Sequence, residues 1–123
     1  MKLWSGVVTG KVAECGAFYR DVFGCEIVFE ADWFVLVSLG GAEIGFLKPG
    51  LESQTEAFRR PWTGDGVWIT VDVADAAAEE ARLRALGVPI EHALRTEPWG
   101  DRHFVVRDPA GVPVDVVQRV PAD

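Results

Sequence analysis

The chain has 123 residues, of which 49% are hydrophobic and 25% charged, and this balance is typical of one globular domain large enough to bury a core. The net charge of −7 disfavours nucleic acid as a partner and favours neutral or cationic small molecules. No apolar run approaches the roughly 18 residues that span a bilayer, so the sequence predicts a soluble, cytoplasmic protein with no membrane partner.

The first half of the chain predicts one strand, one helix and three further strands. In order, these elements are a strand at 3–9, a helix at 11–22 and strands at 26–31, 33–39 and 42–47. Gly24 is expected to end the helix, and Gly40 and Gly41 form a tight turn between the last two strands. The first module therefore covers residues 1–49.

The second half repeats this order of elements after a polar connector at 50–66. The predicted elements are a strand at 67–71, a helix at 74–86 and strands at 90–94, 103–107 and 113–119. A shift of 63 residues places Gly24 on Gly87 and Ile27 on Ile90. Two tandem βαβββ modules, 1–49 and 67–121, predict a single α+β domain over 1–123, in which a curved mixed sheet carries its helices on the convex side. The concave face is the expected pocket.

Two segments resemble one protein family. Residues 18–24 (FYRDVFG) are similar to the signature that closes its first helix, and residues 98–115 (PWGDRHFVVRDPAGVPVD) resemble its strand-turn-strand signature near the C-terminus. The family is the vicinal oxygen chelate superfamily of glyoxalases, bleomycin-resistance proteins and extradiol dioxygenases. With the repeated element order, the resemblance covers nearly the whole chain.

The metal enzymes of that superfamily hold a divalent ion with side chains on the first and last strands of each module. The resemblance places these positions on Trp4, Gly45, Gly66 and Asp115. Only Asp115 carries a metal-binding side chain, whereas such ions need several converging ligands. We therefore expect neither a metal nor another cofactor, and the chain looks closest to the metal-free, bleomycin-resistance-like branch.

Aromatic residues are the remaining chemical signal, because the chain contains five tryptophans. Strand alternation places Trp68 and Thr70 on the concave face, together with Asp115. An acid among aromatic rings suits a flat, cationic or hydrogen-bonding organic ligand, although any single tryptophan could instead belong to the core. The candidate ligand-binding residues are Trp33, Glu43, Phe46, Trp62, Trp68, Trp99, His103 and Asp115.

The leading functional hypothesis is metal-independent binding of an aromatic or cationic small molecule, such as an antibiotic that is sequestered without being transformed. The resemblance implies a homodimer. The competing hypothesis is an enzyme, either a glyoxalase-like lyase or dioxygenase, or a metal-free isomerase that uses Asp115 and His103. A third hypothesis is that the cleft is vestigial and that the protein acts only through its dimer surface. No catalytic residue is assigned, and the ligand and the dimer geometry stay open.

Overall fold

The computed structural model of the protein describes residues 1–119. The chain divides into two compact units, Met1–Thr63 and Gly64–Asp123, and the division falls inside the predicted connector. Each unit contains one four-stranded mixed sheet and one α-helix. This is the α+β architecture that two βαβββ modules predict. Within residues 1–119, neither α-helix has the length and apolar character needed to cross a membrane.

The first unit follows the predicted element order closely. Its elements are β1 (Ser5–Val8), α1 (Val12–Phe23), β2 (Glu26–Glu30), β3 (Phe34–Leu39) and β4 (Ala42–Leu47). The sheet order is β1-β4-β3-β2, with β1 parallel to β4 and the other neighbours antiparallel. Beyond β4, the connector is irregular except for one short 3₁₀ helix, Glu56–Phe58.

Helix α1 forms because its apolar residues recur at helical spacing and pack on one face of the first sheet. Tyr19 is buried there and its ring stacks on Phe46, with 5.4 Å between the ring centroids. Val35 of β3 approaches the helix at Gly16, where an added Cβ atom would lie only 2.9 Å from a valine methyl group. The helix ends at Gly24, which adopts the left-handed conformation (φ 72°). The core of this unit therefore lies between α1 and the sheet.

The second unit has the same topology, with order β5-β8-β7-β6. Its elements are β5 (Ile69–Asp72), α2 (Ala76–Ala85), β6 (His92–Thr96), β7 (Asp101–Arg107) and β8 (Pro113–Arg119). The predicted starts of β5, α2 and β6 are each two residues too early, and that of β7 is two residues too late. The backbone N–H of Val88 still bonds to Leu83 in the last turn of α2, which delays β6, and Gly66 has a positive φ of 91° before β5. The predicted module end at 121 lies outside the described residues.

The alternation predicted for the second sheet is confirmed. Val114 and Val116 of β8 are fully buried together with Phe104 of β7, and α2 packs on β7 and β8. Asp115 therefore lies on the opposite, open face, where it pairs in register with Thr70 of β5. This face carries the polar pair of Asp115 and His103.

Asp75 caps the N-terminus of α2, where its side chain accepts a hydrogen bond from the backbone N–H of Ala78 at 3.1 Å. We expect Asp75→Ala to lower the free energy of unfolding by about 1 kcal/mol, because a helix N–H loses its partner. Asp75→Asn keeps an acceptor and should cost much less. Denaturant unfolding followed by circular dichroism measures both variants, and equal losses would contradict the capping role.

Candidate functional site

The first unit contains a cavity of about 500 Å³ on the side of its sheet that faces away from α1. On this face, Gly6 of β1 and Gly45 of β4 are register partners, and the space above Gly6 is open to the cavity. Its lining includes four aromatic side chains: Trp4, Trp33, Phe34 and Phe58. Volumes on the order of 300 to 1,000 Å³ are typical of small-molecule sites.

The aromatic side chains form a connected group around Phe34. Trp33 stacks on the Phe34 ring at 5.7 Å, and Trp4 meets it edge-on at 6.2 Å. Trp4 and Trp33 remain 48% and 41% exposed, and Phe58 is 51% exposed. Exposed aromatic rings in a concave site are available to stack on a ligand, which removes their apolar surface from water.

Gly45 is where the family resemblance places a metal ligand, and the space above it is filled by rings. A Cβ atom at this position would lie 2.7 Å from two ring atoms of Phe34 and 2.8 Å from the Trp4 indole. Trp4 and Gly66, at two further ligand positions, also have no metal-binding side chain. The residues present therefore do not fit the divalent ion of the family's metal enzymes.

The second unit carries a polar cluster centred on His103 of β7. Its Nδ1 atom lies 2.7 Å from Oδ1 of Asp115, and its Nε2 atom lies 3.2 Å from Oε1 of Glu97. Arg95 forms an ion pair with Glu97 on the outer side, and the ring of His92 stacks on His103 at 6.0 Å. Because a carboxylate engages each ring nitrogen, the cluster favours a doubly protonated imidazole and leaves neither nitrogen for a metal.

The contacts around His103 shift two pKa values in opposite directions. Partial burial would lower the pKa of His103, but the hydrogen bonds to Asp115 and Glu97 outweigh it, so its pKa is raised. The hydrogen bond from His103 is the main reason that the pKa of Glu97 is lowered, and Arg95 adds to the effect. When His103 is protonated, its ring and the carboxylates of Asp115 and Glu97 stabilise one another.

These shifts predict a defined pH dependence of stability. The contribution of His103 should be complete below its unfolded-state pKa, about 6.5, and should disappear as pH rises through its higher folded-state pKa. The contribution of Glu97 should be present above its unfolded-state pKa and should disappear as pH falls through its lower folded-state pKa. Thermal unfolding of the unaltered protein and of His103→Gln, measured from below the folded-state pKa of Glu97 to above that of His103, checks both directions. A variant whose pH profile matches that of the unaltered protein would contradict the prediction.

The structure brings together only some of the candidate residues. Of the eight, Trp33 is the one that lines the cavity, while His103 and Asp115 contact each other in the second unit. The placement of Phe46 among ligand-binding residues is wrong, because its side chain is fully buried against Tyr19 on the opposite face of β4. Glu43 lies on the cavity side of β4, but it forms an ion pair with Lys2.

The other three tryptophans lie outside the cavity lining. The indole N–H of Trp68 donates to Thr70 at 2.9 Å, and that of Trp99 donates to Asp101 at 3.2 Å, while both rings are 64% exposed. The backbone N–H of Trp62 donates to Val8 at 2.7 Å. Its indole N–H is buried with no hydrogen-bond partner among residues 1–119. A ligand role for these three residues stays a prediction.

Sequence reasoning missed Trp4, Phe34, Gln54 and Phe58 of the cavity and Glu97 of the polar cluster. Trp4 was considered for a site only as a metal-ligand position without a metal-binding side chain. Phe34 could have been found by pairing β3 with β4, since Leu36 lies opposite Gly45 and Phe34 shares its face. Gln54 and Phe58 lie in the connector and Glu97 directly follows β6, where the sequence has no periodic pattern.

The fold and these sites define the class of protein as a pair of βαβββ units with an aromatic cavity in the first. The sequence model of the Glyoxalase/Bleomycin resistance protein/Dioxygenase superfamily matches residues 4–116. The chain therefore belongs to this superfamily. Among curated proteins, a search found no match.

Solved structures agree with this assignment. A lactoylglutathione lyase from Agrobacterium tumefaciens is 25% identical, with a TM-score of 0.78 over 95% of this chain and 92% of that one. A superfamily member from Sphaerobacter thermophilus is 26% identical, with a TM-score of 0.72 over 96% and 97%. A glyoxalase/bleomycin resistance protein/dioxygenase from Nocardioides is 17% identical and shares the fold, with a TM-score of 0.81 over 100% and 86%.

Proposed function

We propose that the protein binds a small organic molecule in the aromatic cavity of its first unit, without a metal ion. The observation that carries this proposal is a cavity of about 500 Å³ that lies open over Gly6 and is edged by exposed aromatic rings. The rings of Phe34 and Trp4 lie over Gly45, where a metal enzyme of the superfamily would carry a ligand. Stacking and burial of apolar surface supply the binding energy.

The bound molecule is held and released unchanged, as in the sequestration of an antibiotic, and the protein acts as a cytoplasmic homodimer. The absence of ionisable groups from the cavity lining supports binding without chemistry, because acid, base and nucleophilic catalysis all need such groups. This absence applies to the lining within residues 1–119. Membership of a superfamily whose name includes bleomycin-resistance proteins supports the sequestering role and is the sole support for the dimer.

The polar cluster of the second unit favours a second candidate, an enzyme of the isomerase or lyase type. His103 orients the Asp115 carboxylate, and a carboxylate held in this way can take a proton from a carbon acid and return it. Similarity to a lactoylglutathione lyase also supports this alternative. In such an enzyme Asp115 would be the base and His103 a positioning residue.

Metal content and binding, measured on the same sample, test the proposal. The full chain is purified without chelator, analysed for divalent metals, and titrated by calorimetry with neutral aromatic compounds before and after treatment with EDTA. We expect saturable binding that EDTA and Asp115→Asn leave unchanged. Binding that requires a stoichiometric metal and is lost in Asp115→Asn would overturn the proposal. Failure of every aromatic compound to bind would also overturn it.

A further inference from the structure

Resting on the proposed function, we infer that the cavity selects uncharged, planar ring systems with one hydrogen-bonding group, and that Gln54 sets this charge preference. The sequence predicts an aromatic or cationic ligand, and we narrow this class of ligand to neutral molecules. The inference depends on three features of the first unit: the charge of the lining, the open floor at Gly6 and the fixed backbone of Gln54.

The lining offers nothing to neutralise a charged ligand. Among residues 1–119, Gln54 is the single amide side chain that lines the cavity, the only other polar side-chain groups are the indole N–H donors of Trp4 and Trp33, and no lysine, arginine, histidine, aspartate or glutamate lines it. A charged ligand would lose hydration without gaining an ionic partner, which opposes binding. The exposed faces of Trp4 and Trp33 attract cations only weakly, because rings so open to water give small cation–π energies. A neutral molecule avoids the loss of hydration.

The floor of the cavity favours a flat molecule. Gly6 and Gly45 are register partners, so neither strand places a side chain of its own at this point. The rings of Phe34 and Trp4 cover Gly45, whereas the space above Gly6 stays open. A planar ring can lie over the open backbone at Gly6 and contact these rings, whereas a saturated ring system of equal carbon count is thicker and loses the stacking geometry.

Hydrogen bonds within the connector hold the backbone of Gln54 in a fixed position beside the cavity. Arg59 donates from Nε to the backbone oxygen of Gln54 at 2.6 Å and from Nη2 to that of Glu52 at 2.9 Å. The backbone N–H of Gly50 in turn donates to the carbonyl of Arg59 at 3.0 Å. The Arg59 guanidinium thus binds the loop itself rather than an anionic ligand. The Gln54 amide is left to donate to or accept from a hydroxyl or carbonyl group of the bound molecule.

Four matched probes test the inference by calorimetry on the full chain at neutral pH. Naphthol is neutral and planar, naphthoate is its anionic counterpart, naphthylmethylammonium is the cationic one, and decalol is the saturated neutral analogue. We expect naphthol to bind at least about tenfold more tightly than each of the other three. Equal affinities across the series would overturn the inference while leaving the proposed function intact. Absence of binding by all four would overturn both.

Gln54→Glu tests the residue that sets the preference. The new carboxylate should reverse the order of the probes, so that naphthylmethylammonium binds at least about tenfold more tightly than naphthol. Ser53→Glu is the matched control, because it adds the same charge to the neighbouring exposed residue, which does not line the cavity. If Gln54→Glu fails to fold, Gln54→Leu replaces it. This variant should bind naphthol more weakly but should bind unsubstituted naphthalene as the unaltered protein does. An unchanged probe order in a folded Gln54→Glu protein, or equal changes in the control, would overturn the assignment.

Discussion

Gly6→Val is expected to weaken the binding of naphthol by at least about tenfold while the protein stays folded. A Cβ atom at this position would lie 3.6 Å from the carbonyl oxygen of Gly45, which is an ordinary contact, and Gly6 does not have a positive φ. The new methyl groups therefore occupy the cavity instead of straining the sheet, and valine suits a strand. Calorimetric titration measures the affinity, and circular dichroism checks the fold.

Gly10→Val is the matched control for this substitution. Gly10 also lacks a positive φ, no atom lies within 4 Å of its added Cβ atom, and it does not line the cavity. The control should bind naphthol as the unaltered protein does. If Gly6→Val binds equally well, the ligand occupies some other part of the molecule and the proposed site is wrong.

Phe46→Ala is expected to lower the free energy of unfolding by about 3 to 5 kcal/mol, since it removes a fully buried ring and leaves a void beside Tyr19. Chemical unfolding, extrapolated to water, gives the value. Phe46→Leu fills most of the space and should cost considerably less. A folded Phe46→Leu protein should also keep its affinity for naphthol, because the side chain lies on the α1 side of the sheet.

Phe58→Ala should affect ligand binding more than stability, which is the opposite of what we expect for Phe46→Ala. Phe58 is half exposed and lines the cavity, so its loss should weaken binding and change stability little. A small stability change in Phe46→Ala together with a large loss of affinity would mean that Phe46 contacts the ligand after all.

Much of the fold could be predicted from the sequence, because residues close in the chain determine where its helices and strands end. Gly24 ends α1 where the sequence places it, since a left-handed residue is needed there. Gly40 and Gly41, with φ of 58° and 84°, form the expected turn between β3 and β4. Alternation also assigned Val114 and Asp115 to opposite faces, because side chains in a strand alternate strictly.

The candidate site was harder to predict because it depends on contacts between distant parts of the chain. Phe46 was named as a ligand-binding residue, although the same alternation that puts Gly45 towards the cavity puts its neighbour towards α1. Phe58 reaches the cavity from an irregular connector, where the sequence gives no periodic signal. Glu97 meets His103 only because the chain turns back just before β7.

The packing at Gly45 means that a metal site could arise at this position only through several substitutions at once. An aspartate or glutamate at this position would place its first side-chain atom inside the volume of the Phe34 and Trp4 rings. Those rings would have to shift or shrink in the same lineage, and Trp4 itself would have to become a ligand. Each of these changes alone would damage the aromatic cavity before any ion could bind. If the cavity is selected for ligand binding as proposed, single substitutions towards a metal site would therefore be disfavoured.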